Sequence, residues 1–102
     1  MRVHTREGEP MKEKDVVDSI KEYLQTIPNI FFWKEHGGQF GTAGIPDLII
    51  CYKGKFIGLE CKLPGRKPTL LQKITLGKIE KAGGIAKVVT SVDQVKEIIE
   101  NL

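Results

Sequence analysis

The stretch "IPDLIICYKGKFIGLECK", residues 45–62, decides how this chain folds. Two largely apolar runs, Leu48 to Tyr52 and Lys55 to Lys62, flank Lys53-Gly54, which reads as the two-residue turn of a β-hairpin. Such a turn fixes the register. Numbers of opposed residues sum to 107, so Tyr52 faces Lys55 and Asp47 faces Glu60. Counting alternation from the turn makes Asp47 and Glu60 a non-hydrogen-bonded pair, the kind whose side chains lie closest. Both project from one face, with Lys62 on that face two residues on, Cys61 on the other, and Gly58 leaving the neighbouring floor uncrowded. Like charges so placed are destabilising unless something positive sits between them. Lys62 is one candidate and a divalent cation the other. The plainer alternative is a solvated acid pair at two strand ends, with Glu60 and Lys62 as an exposed ion pair worth little.

Outward from the hairpin, the chain alternates helical and strand signals. Residues 1–10 are polar, with Gly8 and Pro10, and read as a flexible lead-in; residues 11–102 read as one domain. From Met11 to about Ile27, the apolar positions Val16, Val17, Ile20, Tyr23, Leu24 and Ile27 recur at helical spacing, stopping before Pro28. Ile30 to Trp33 reads as a strand, and "GGQFGTAG" (37–44) as a loop. Ile45 precedes Pro46 and is pushed extended. After the basic loop "LPGRKP", Thr69 with Gln72 is a capping-box pattern opening a helix to Ala82, ended by Gly83-Gly84. Ile85 to Thr90 reads as a strand. Ser91 and Gln94 repeat the capping pattern for a last helix with Val92, Val95, Ile98 and Ile99 inward. The order is α-β-β-β-α-β-α, an α/β fold with a mixed sheet flanked by helices.

Bulk properties narrow the function classes. A hydrophobic share of 40% and a charged share of 28% are those of an ordinary globular protein. No run approaches the roughly 18 apolar residues of a membrane helix, and no signal-peptide pattern opens the chain. Two cysteines fit a reducing compartment, so a cytoplasmic location is expected. Net charge is only +3 but unevenly placed: residues 53–81 hold eight Lys or Arg against Glu60 and Glu80, a local +6. Such a block suits a polyanion such as nucleic acid, or it is a solvated lysine-rich face.

The hairpin acids point to specific chemistry. Two carboxylates from neighbouring strands, completed by water and a substrate oxygen, are what Mg²⁺ prefers. Such a metal activates water and polarises a phosphodiester, and a lysine ammonium beside it orients the water or offsets charge on the phosphate. Glu13, on the buried stripe of the first helix with Val17 and Ile20, is a third acid wanting a partner; equally, it suits the positive end of a helix. Gln72 serves the capping box or reaches the site. His36 beside Gly37-Gly38 contacts phosphate or is simply exposed, and two histidines make a zinc site a poor reading. Cys51 and Cys61 lie on opposite faces and cannot bridge within the hairpin; Cys61 reads as core.

Taken together, "GIPDLI", then "ECK" beginning thirteen residues beyond Asp47, then "KLPGRKPTLLQ" and "AGG" before a strand resemble the PD-(D/E)xK nuclease superfamily. Within it they resemble the virus-type replication–repair nuclease (VRR-NUC) domain in its short stand-alone form, typical of phages and prophages. The likeness runs from Lys12 to about residue 95, and Cys61 stands where the family often has Val or Ile.

The resemblance implies a restriction-endonuclease-like core, with Asp47, Glu60 and the backbone carbonyl of Cys61 binding Mg²⁺ or Mn²⁺. It implies Lys62 positioning the nucleophilic water, and Glu13 (directly or through water) and Gln72 completing the site. With the charge pattern, His36, Lys53, Lys55, Arg66, Lys67 and Lys73 are the residues expected against nucleic acid. The implied activity is metal-dependent DNA endonuclease, structure-selective in the manner of a Holliday-junction resolvase, in phage replication, recombination or repair. A homodimer on branched DNA is expected, in a bacterial host cytoplasm if phage-encoded, with no membrane and no small-molecule cofactor. The alternatives are a flap or other structure-specific nuclease, and a nuclease-like module that holds nucleic acid without cutting. A sequence-specific restriction enzyme is less attractive, since 102 residues leave little room for base-reading elements.

Overall fold

The computed structural model describes residues 10–36 and 43–102. Its elements are α1 (Glu13–Leu24), β1 (Ile30–Lys34), β2 (Leu48–Tyr52), β3 (Lys55–Cys61), α2 (Leu70–Lys81), β4 (Ile85–Val89) and α3 (Val92–Glu100). This is the expected α-β-β-β-α-β-α order. The lead-in at 1–9 and the glycine-rich residues 37–42 lie outside the described residues.

One four-stranded sheet runs β1-β2-β3-β4. The first three strands are antiparallel neighbours; β4 lies parallel to β3, reached through α2. The hairpin turn is the anticipated one. Lys53 and Gly54 have φ of 52° and 74°, the paired left-handed conformation of a type I′ turn, and Tyr52 pairs with Lys55 as far along as Leu48 with Leu59. Asp47 and Glu60 come next, one step beyond the ladder.

Alternation sorts the two faces of the sheet. Leu48, Ile50, Ile57, Leu59, Cys61 and Val89 turn to one side and join Val16, Ile20 and Leu24 of α1 and Val95 and Ile99 of α3 in the core. The other face takes α2. A Cβ on Gly58 would lie 2.9 Å from Pro46 Cγ and 3.1 Å from Ile79 Cδ1. The missing side chain of Gly58 therefore seats Pro46 and α2 against the sheet. It does not leave an open floor beside the acids, as the sequence suggested, because the helix comes down onto it.

Helix ends differ from the sequence reading for local reasons. Asp15 Oδ2 accepts the Lys12 backbone N–H at 2.7 Å, so α1 begins at Glu13 and not Met11. It stops at Leu24, and Ile27 lies in the turn that follows, its N–H on the Leu24 carbonyl at 3.1 Å. Ser91 caps α3 by accepting from Gln94 N at 3.4 Å. Gln94 does not close the box on Ser91, for its Oε1 takes the Thr90 N–H at 2.7 Å. Among the described residues no helix is long and apolar enough to cross a membrane.

Candidate active site

Three carboxylates meet where α1 starts, β2 begins and β3 ends. One ligand oxygen each from Glu13, Asp47 and Glu60 lie within 4.8 Å of one another. Each is delivered by a different piece of local structure. Glu13 is the first residue of α1, its side chain 44% exposed, so it stands at the rim of the buried stripe. Asp47 follows Pro46, and its Oδ2 accepts the Cys61 backbone N–H at 2.8 Å. That bond ties the start of β2 to the end of β3 just beyond their ladder. Glu60, on β3, is buried to 1% exposure.

Gly44 explains how Asp47 is delivered. Its φ is +79°, and a Cβ there would lie 2.7 Å from Thr75 Oγ1 and 2.9 Å from the Leu71 carbonyl oxygen. Only glycine lets this segment turn left-handed against α2 before Pro46 enters the sheet.

Gln72 does both things the sequence allowed. Its Oε1 accepts the Thr69 N–H at 2.8 Å and Thr69 Oγ1 accepts the Gln72 N–H at 3.2 Å, closing the capping box. Its Nε2 donates to Glu60 Oε2 at 3.1 Å. Lys62, its side chain 12% exposed, places Nζ 3.7 Å from Glu60 Oε2 and 4.0 Å from Glu13 Oε2.

These partners leave one atom unsatisfied. Glu60 Oε1 is buried with no hydrogen-bond partner. Burial, and next the Asp47 carboxylate, push the Glu60 carboxyl up to about 8, with Lys62 opposing and Glu13 adding a little. A buried carboxylate oxygen facing two more carboxylates is a demand for positive charge that Lys62 does not fill. Hard oxygen donors in this number suit a Mg²⁺-type cation, and the residues present fit one. Cys61 contributes no thiolate chemistry: burial first, then the nearby acids, push its thiol far up, and both cysteines are free.

The structure also brings in a residue that sequence reasoning missed. Lys34, the last residue of β1, places Nζ 3.8 Å from Asp47 Oδ1. The cause is the pairing of β1 with β2, which continues past Lys34 and Leu48 to a Glu35 N–H on the Asp47 carbonyl at 2.8 Å. No periodicity in the sequence reveals that register. Exposed His36 sits nearby, lining with Glu13, Lys34 and Asp47 a cleft of about 470 Å³ between α1 and the end of β1.

The expected nucleic-acid residues divide. Arg66 and Lys67 are exposed on the loop joining Lys62 to Thr69, and Lys73 is exposed in the first turn of α2, directly after Gln72. Lys53 and Lys55 are at the hairpin turn, the opposite end of β3 from Glu60. Their ammonium groups donate to the Leu102 and Gly83 carbonyls, each at 3.1 Å.

A solved structure described as a VRR_NUC domain is similar to this chain, with a TM-score of 0.71 and 28% sequence identity. The match covers 86% of this chain and 94% of that one. No protein-family model matches the sequence, and no curated protein matches it.

Proposed function

We propose, from the premise that this chain is a VRR-NUC domain of nuclease type, that it is a metal-dependent endonuclease hydrolysing DNA phosphodiester bonds. The observation that carries this reading is Glu60 Oε1, buried without a partner among three converging carboxylates. Asp47, Glu60 and Glu13 would hold Mg²⁺ or Mn²⁺, joined by the Cys61 carbonyl at the end of β3. Bound there, the metal supplies Lewis acidity toward the phosphodiester and toward an attacking water.

The chain's own residues do the rest. The Cys61 N–H holds Asp47 Oδ2, and the Gln72 amide holds Glu60 Oε2, so neither carboxylate must reorganise when it takes up charge. Lys62 reaches the acids from the end of β3, its stem largely buried and its ammonium fixed between Glu60 and Glu13. There it orients the attacking water and offsets the negative charge that builds on the phosphorane. Arg66, Lys67 and Lys73, on the loop and helix that follow, hold the DNA backbone.

In this proposal the preferred substrate is branched DNA, cut as a junction resolvase cuts it, by a homodimer in a bacterial cytoplasm during phage replication or repair. Incubation with end-labelled four-way junction, flap and plain duplex in Mg²⁺ or Mn²⁺ tests it. Junction cleavage exceeding flap and duplex cleavage is the expected result. No cleavage of any of the three by folded protein refutes the enzyme and leaves the nucleic-acid-binding module.

A further inference from the structure

Taking the nuclease reading above as given for the nature of the substrate, we propose a second site for the DNA backbone. It is a phosphate subsite in the cleft between α1 and the end of β1, built around Lys34. It adjoins the acids at Asp47, whereas Lys62 meets them at Glu60 and Glu13.

Pairing with Leu48 puts Lys34 on the core side of the sheet, under α1, where its side chain is only 28% exposed. The stem is held by packing and the ammonium emerges into the cleft, donating to the Glu35 carbonyl and facing Asp47 Oδ1 at 3.8 Å. A lysine so placed costs little further ordering when it meets a ligand. The two site lysines therefore approach the carboxylates from different directions, Lys62 on Glu60 and Glu13, Lys34 on Asp47.

The lining of the cleft fits a polyanion once its acids are accounted for. Glu13 and Asp47 belong to the carboxylate cluster, and Asp18 is paired with Lys14 at 2.6 Å. The remaining charged or titratable side chains in the lining are Lys21, Lys34 and His36. The volume, about 470 Å³, is that of a pocket able to enclose a ligand group. A DNA strand with its scissile phosphate at the carboxylates would place a neighbouring phosphate in this cleft, on Lys34.

The competing role for Lys34 is that of a counter-ion that only quiets Asp47. DNA binding in chelator, where no cutting occurs, separates the two when it is measured in an Asp47→Asn background, which has no Asp47 charge to quiet. Fluorescence anisotropy with a labelled duplex across a salt series is measured in that background for the parent Lys34, Lys34→Met and Lys34→Arg. We expect Lys34→Met to weaken binding roughly five- to tenfold and to lower the slope of log K against log salt by about 0.9, with Lys34→Arg near the parent. Unchanged affinity and slope in Lys34→Met, with its circular dichroism spectrum that of the parent, overturn the subsite. So does an equal loss in Lys34→Arg, which would mark a structural role. Because this readout needs neither metal nor cleavage, an inactive wild-type protein would refute the nuclease and leave the subsite to be decided by the anisotropy alone.

Discussion

The side-chain amide of Gln72 donates to Glu60 Oε2 at 3.1 Å while its oxygen accepts the Thr69 N–H at 2.8 Å. One residue thus starts α2 and orients the buried acid, so helix stability and site geometry are coupled through it. The two roles separate by mutation. Thr69→Ala removes the hydroxyl that accepts the Gln72 N–H and should cost about 1 kcal/mol of stability, leaving Mn²⁺ affinity near the parent's. Gln72→Ala should cost a similar stability and also weaken Mn²⁺ affinity and cleavage by roughly 10- to 100-fold. Thermal melts and calorimetry on both variants check this; equal metal affinity in the two would reduce Gln72 to a helix cap.

Lys62→Ala should lower cleavage by roughly 10²- to 10³-fold while DNA binding in chelator changes little. Asp47→Asn keeps the shape of the side chain but not its charge, and should lose cleavage together with metal affinity. Paired cleavage and anisotropy assays distinguish them. A Lys62→Ala protein that cuts at the parent rate would remove that ammonium from the mechanism.

Glu60 makes the metal-free protein pH-sensitive. Its folded carboxyl titrates near 8, above the ordinary value of 4.5, so folding favours the protonated form. The contribution is fully present below about pH 4.5 and is lost as pH rises through about 8. In chelator the melting temperature should therefore fall between pH 5 and pH 8.5 more in the parent than in Glu60→Gln. Metal competes with that proton, so Mn²⁺ affinity should rise over the same interval. A Glu60→Gln melting profile parallel to the parent's would place the titration elsewhere.

Gly44→Ala forces a Cβ to within 3 Å of the Leu71 carbonyl oxygen at a left-handed φ. The segment carrying Pro46 and Asp47 must then move off α2. A loss of stability above about 1 kcal/mol by denaturant melt is expected, with cleavage reduced in protein that remains folded. A fully stable, fully active variant would contradict this account of how Asp47 is delivered.

The hairpin was legible because a two-residue turn leaves no freedom in register: Lys53-Gly54 alone places Glu60 one step past the Leu48–Leu59 pair. Gln72 was legible as a cap, and its second bond follows from α2 lying over the Glu60 face. Lys34 was not, since its reach depends on how β1 pairs with β2 and where α1 crosses, contacts made far apart in sequence. The basic block is divided in space for a geometric reason. Lys55 and Lys62 are close in sequence, but β3 runs extended at about 3.3 Å per residue and carries Lys55 to the end of the sheet away from the acids. Gly58 was read as open space, whereas Ile79 and Pro46 occupy it, a packing that no local pattern announces.

The central claim is that Glu13, Asp47 and Glu60 form a metal centre, and titration calorimetry with Mn²⁺ at pH 8 tests it most directly. The account predicts saturable binding to the parent protein that is lost in Asp47→Asn and in Glu60→Gln. No binding to the folded parent, or binding that survives both substitutions, would contradict it.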